Sequence, residues 1–101
     1  MEALTVHILV YREEEHYVAH CLEFDLAAQG ATTSEAFQNL LDAIELQAAY
    51  AQETGDLENL IQPAPPEYWR LLATAEHYTP QPDGWTLPRI LDHADCGLVR
   101  P

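Results

Sequence analysis

An α+β fold is what this sequence predicts: a three-stranded antiparallel sheet with one long helix across one face, then a proline-rich extension with a second helix and room for an extra strand. Three observations carry the prediction. Residues 4–29 alternate apolar and polar side chains in three short runs. Residues 31–55 switch to helical spacing with both ends marked. After Gly55 the periodicity stops, and Pro63, Pro65 and Pro66 forbid regular structure.

In order, LTVHILVY (4–11) sets Val6, Ile8 and Val10 against Thr5, His7, Leu9 and Tyr11, a strand with one face more apolar than the other. Arg12-Glu13-Glu14-Glu15 is a polar break suited to a hairpin, though it lacks the Asn-Gly or Asp-Gly that fixes a tight turn. HYVAHCL (16–22) resumes a strand. Glu23 and Asp25 interrupt it before a weaker third run, LAAQ (26–29), which stops at Gly30.

The helix is the most legible element. Thr32 and Glu35 have capping-box spacing. Phe37, Leu40, Leu41, Ile44, Ala48 and Ala51 form an apolar stripe, widened by Ala36 and Ala43. Gln38, Asp42, Glu45, Gln52 and Glu53 occupy the other side, and Gly55 is a natural stop. About 21 residues would span roughly 32 Å, and the three strands supply the surface it needs. Residues 1–56 are thus the predicted core and 57–101 the extension.

In the extension, DLENLIQ (56–62) is a short linker with helical potential. Pro66 opens a second helix running to about Tyr78, with Trp69, Leu72, Ala73 and Tyr68 as its docking side. Pro80, Pro82, Asp83 and Gly84 mark a turn. WTLPRIL (85–91) reads as extended, confined by Pro88 to an edge. Asp92, His93, Asp95 and Cys96 have no ligand spacing and read as a solvated tail.

Composition narrows the function. The chain of 101 residues is one domain in size, with no apolar run of membrane-spanning length. Its N-terminus reads as strand and not as a signal peptide. Two cysteines without a CxxC, Cys21 and Cys96, fit free thiols in a cytoplasmic protein. Seventeen acids face four arginines and no lysine. Residues 1–62 hold twelve of those acids against Arg12, a net of −11. Full protonation of all five histidines would still leave the chain at −8. Such a chain cannot build the basic face that phosphate binding needs, so no nucleic acid is expected as a direct ligand. A basic protein is the partner that its field would attract.

The segment Tyr17-Val18-Ala19-His20-Cys21-Leu22-Glu23-Phe24-Asp25-Leu26, then Ala28-Gln29-Gly30, Thr32, Glu35-Ala36, Asn39-Leu40 and Ala43-Ile44-Glu45, resembles the HicB-like antitoxin family over about residues 4–54. The resemblance implies a partial ribonuclease-H-like fold, usually completed by a further strand. It also implies a non-catalytic role: binding and blocking a small basic mRNA-cleaving toxin of the HicA type, commonly as an oligomer. Many members add a helix-turn-helix or ribbon-helix-helix segment; residues 57–101 resemble neither. The alternative is a stand-alone HicB-like regulatory or interaction module without toxin or DNA binding.

On either reading the partner-binding candidates are the hairpin acids Glu13, Glu14 and Glu15 with Asp42 and Glu45 of the helix. Exposed sheet edges predict at least a homodimer, by pairing of edge strands or by addition of WTLPRIL from the same or a neighbouring chain. Enzyme chemistry finds little footing. His7, His16, His20, Cys21, Glu23 and Asp25 lie on neighbouring strands, but alternation puts His16 and His20 on one face and Cys21 on the other, so no metal is expected. His7 and His20 read as half-exposed residues facing away from the helix. Cys21 has no base on its own face, and two-metal nuclease chemistry needs an acid on the first strand, which LTVHILVY lacks. No catalytic residue and no cofactor are expected.

Overall fold

The computed structural model describes residues 4–78, 87–88 and 91–99, without the side chains of Leu57 and Asp92. Strands β1 (Leu4–Glu13), β2 (His16–Cys21) and β3 (Leu26–Gly30) lead into helix α1 (Thr33–Thr54). A 3₁₀ turn (Leu57–Leu60), helix α2 (Pro66–Thr74), the two-residue strand β4 (Glu76–His77) and strand β5 (Leu91–Leu98) follow. The sheet is five-stranded and mixed, in the order β3-β2-β1-β5-β4, with β5 parallel to β1 and the other neighbours antiparallel.

The α+β class and the long helix stand as the sequence predicts, while the sheet is larger than three antiparallel strands. The fourth and fifth strands come from the extension. β5 begins at Leu91, where WTLPRIL ends, and runs through the supposed tail, pairing His7 with Asp95 and Ile8 with Cys96. Of WTLPRIL itself only Leu87, Pro88 and Leu91 are among the described residues, and the turn at Pro80–Gly84 lies outside them. A parallel partner for β1 cannot arrive by a tight turn, which is why the chain first crosses through α1 and α2.

α1 covers one sheet face. Thr32 Oγ1 accepts the Glu35 amide at 3.0 Å, which is half of the capping box. At the far end Gly55 has φ 73°, and the Gly55 and Asp56 amides donate back to the Gln52 and Ala51 carbonyls, a Schellman arrangement. Ala36, Phe37, Leu40, Leu41, Ile44 and Ala48 pack on Val6, Ile8, Val10, Ala19 and Cys21. Phe24, Leu91 and Cys96 close this core.

The second face is covered as well. Leu9, Leu22 and Ala64 are buried beneath Tyr11, Tyr68, Trp69 and Leu72. In the proline-rich connection only Ala64 of Pro63–Pro66 has an amide hydrogen, and it donates to the Leu22 carbonyl at 2.7 Å. Trp69 Nε1 donates to the Ala64 carbonyl at 3.1 Å. The prolines thus carry the chain around to the side opposite α1. α2 opens on Pro66 as expected but ends at Thr74, four residues short of Tyr78, because the chain turns into β4. Ala73, expected to dock, is exposed. Among the described residues no helix is long and apolar enough to cross a membrane.

Gly30 closes β3 directly against the helix start. A Cβ there would lie 2.4 Å from the Ala36 nitrogen and 2.8 Å from the Glu35 carbonyl carbon, both backbone atoms with little freedom to yield. Gly30→Ala should therefore cost about 3 kcal/mol, the upper part of the usual overpacking range. Urea unfolding with fluorescence detection would read this as a lower midpoint with an unchanged slope.

Candidate functional site

Two regions collect the chemistry of this chain: a line of histidine–carboxylate pairs on the α2 face, and exposed acids at the β1–β2 hairpin and along α1.

The first is built by the corner Leu22–Asp25 between β2 and β3. The Leu22 amide donates to the His7 carbonyl at 3.0 Å. Glu23 Oε1 accepts the His7 amide at 2.7 Å, and Oε2 meets the same residue's Nδ1 at 2.6 Å. His7 Nε2 lies 3.8 Å from Asp95, whose other oxygen is 2.7 Å from His93 Nε2. Glu23, His7, Asp95 and His93 thus form a line from the corner across β1 to β5, with Trp69 beside His7 at a ring separation of 5.9 Å.

Asp25, held at φ 51°, meets His20 Nε2 at 2.7 Å, and the Tyr68 ring stands edge-on to His20 at 4.7 Å. His20 is only 5% exposed, which corrects the expectation of a half-exposed residue. The face opposite α1 is roofed by α2, and no local signal in HYVAHCL reveals that roof. The Nδ1 of His20 is buried with no hydrogen-bond partner among the described residues. The supposed tail is corrected too: His93 and Asp95 belong to this line, while Cys96 faces the α1 core.

Imidazoles alternating with carboxylates can pass protons or hold strands together. Among the described residues, no three His, Cys, Asp or Glu side chains converge in a metal-binding arrangement. Cys21 and Cys96 flank Ile8 on either side, about two strand spacings or 10 Å apart, and both are free and buried. Burial pushes each thiol up to about 12. Burial also raises the Tyr11 hydroxyl, with Tyr68, Glu13 and Asp25 adding to it.

The second region holds the acids singled out from sequence. Glu13, Glu14 and Glu15 are exposed at the hairpin tip, with Glu14 in the left-handed region at φ 57°. Arg12 turns back to give its Nε hydrogen to the Glu14 carbonyl at 3.1 Å, and among the described residues it forms no ion pair with the three carboxylates. Asp42 and Glu45 are exposed midway along α1. Asp42 accepts from Gln38 Nε2 at 3.0 Å, and among the described residues none of the five forms an ion pair. The hairpin tip lies beside the start of α1, whereas Asp42 is nine residues into the helix, about 14 Å along its axis. They make two acidic patches, not one. Sequence reasoning missed Leu46 and Tyr50 on the same outer side of α1, 70% and 66% exposed; their i, i+4 spacing was the available signal.

Compared with known proteins, the chain matches no family model, no curated protein and no solved structure.

Two outcomes test this geometry. Glu23→Ala strips two partners from His7 and should cost about 2 kcal/mol in urea unfolding, the scale of a charge-assisted hydrogen bond; Glu23→Gln should recover part of it. The folded state keeps both thiol protons up to about 12, whereas the unfolded chain releases them above the ordinary value of 9.0. The unfolded state then binds fewer protons, so stability should fall as pH rises beyond about 9. A Cys21→Ala/Cys96→Ala variant should show a shallower decline.

Proposed function

We propose that the chain is a HicB-like antitoxin-type protein that binds and inhibits a small basic, HicA-like mRNA-cleaving toxin without catalysis of its own. The observation that carries the reading is the set of exposed acids at Glu13, Glu14, Glu15, Asp42 and Glu45, which form no ion pair among the described residues, on a chain of formal charge −13. Left unneutralised from within, these carboxylates favour encounter with a basic surface. The motif residues add support. Leu22, Glu23 and Asp25 form the corner that ties β1 to β2, and β5 supplies a further strand beside β1, as the family resemblance implies. The uncharged edge strand β3 is the margin on which a second copy would pair.

A stand-alone HicB-like interaction module with neither toxin nor DNA as partner is the alternative. It is favoured by the use of residues 64–72 and 91–98 to cover and extend the sheet, which leaves no separate DNA-binding arm among the described residues.

The test is to co-purify the chain with a small basic protein encoded beside its gene and to assay RNA cleavage. The expected result is a stoichiometric complex, cleavage by the basic protein alone, and loss of cleavage once the chain is added. Absence of such a gene, or cleavage that persists with the chain in excess, would overturn the antitoxin reading in favour of the alternative.

A further inference from the structure

We infer that the outer stripe of α1 centred on Leu46 and Tyr50 is a docking surface for a basic protein partner that seats these two side chains in an apolar cleft rimmed by lysine or arginine. The inference takes the sign of the partner's charge from the inhibitor reading above, but not its identity as a toxin.

The geometry is that of a helix with two working sides. Asp42, Leu46 and Tyr50 form one row at intervals of four, and Glu45, Ala49 and Glu53 form the row beside it; all six are exposed. At 100° per residue this double row lies opposite Phe37, Leu40, Ile44, Ala48 and Ala51, which face the sheet. A helix covered on one side has no structural need for large apolar groups on the other. One exposed leucine would be unremarkable. Here a leucine 70% exposed and a tyrosine 66% exposed stand one turn apart with Ala49 beside them in the neighbouring row, and acids mark both ends. An apolar centre with a polar rim is the anatomy of a recognition patch, and tyrosine is among the residues that most often carry its energy.

Charge decides the occupant. A second copy placed face to face would set Asp42, Glu45 and Glu53 against their own kind at an interface that excludes water, where like charges oppose association. α1 contains no lysine, arginine or histidine to relieve that repulsion. A basic surface meets every charge on the stripe favourably. The edge of β3, LAAQG, carries no charge and leaves self-association a separate margin.

The experiment titrates isotope-labelled full-length chain with a synthetic amphipathic helical peptide of lysine and leucine, and with its counterpart carrying glutamate for lysine. Amide shifts should centre on residues 42–53 with the lysine peptide, weaken with salt, and be absent with the glutamate peptide. Leu46→Ser/Tyr50→Ser, solvent-facing and expected to keep its circular dichroism, should weaken binding about 30-fold. Shifts confined to the hairpin tip, or equal affinity in a folded double variant, would overturn the inference. So would sedimentation showing that the double substitution converts an oligomer to single chains, since a second copy would then be the occupant. The two readings fail separately. Peptide binding at residues 42–53 without inhibition of any toxin removes only the antitoxin identity, and toxin inhibition untouched by the double variant removes only this surface.

Discussion

The constraint on which the rest of the structure depends is that β1 is buried on both faces and hydrogen-bonded along both edges. Val6, Ile8 and Val10 face α1, and Leu9 faces α2; all four are inaccessible to solvent. Burying such side chains contributes about 1.5–3 kcal/mol each, but only if both layers are present. The segment Ile8-Leu9-Val10 therefore needs α1 on one side, α2 on the other, β2 along one edge and β5 along the other. The extension is what completes the environment of the first strand.

At the centre of this strand His7 is polar and only half-buried. The corner after β2 satisfies it: Glu23 takes both the His7 amide and its ring nitrogen. In the same turn Phe24 enters the α1 core, and Asp25 reaches back to His20. Five consecutive residues, Cys21 to Asp25, thus serve the α1 core, the α2 core, the β1 backbone and a buried imidazole. The motif that suggests a family is for that reason a folding motif first. The exposed acids of the hairpin tip and of the outer side of α1 lie away from this corner.

How much of this was legible follows from which forces act locally. The helix was legible almost to the residue because its caps and apolar stripe are written within the segment. The hairpin was legible although Glu14 adopts a conformation that favours glycine, because strand alternation on both sides fixes the register. β5 was not, since of its described side chains Leu91 and Cys96 are buried, Ala94 and Leu98 only half-buried, and Gly97 offers no side chain at all: a run too weak to announce a strand, paired where β1 offers an open edge. The double burial of β1 had one overlooked sign, the unbroken Ile8-Leu9-Val10 run in place of strict alternation. His20 was misplaced for the same reason: its roof is 48 residues away at Tyr68. Of the candidate site, the acids could be read directly and Leu46 and Tyr50 could have been. The line through His7, Asp95 and His93 could not, because it requires the parallel pairing.

The acids of α1 are a cost to the helix that bears them. Glu35 favours the N-terminal dipole, but Glu53 sits in the last turn, where negative charge is unfavourable, and no basic side chain balances it. Asp42 and Glu45, three apart, repel, where a Glu–Lys pair at that spacing would contribute about 0.2–0.5 kcal/mol. A helix selected only to cover a sheet would gain by exchanging either acid for lysine, and would lose nothing by making Leu46 and Tyr50 polar. That none of these exchanges is present gives the outer side of α1 a chemistry that packing does not explain. The proposed cationic partner would account for both departures at once: it would remove the repulsion along the helix and cover the apolar pair, so that what destabilises the free chain would become binding energy on association.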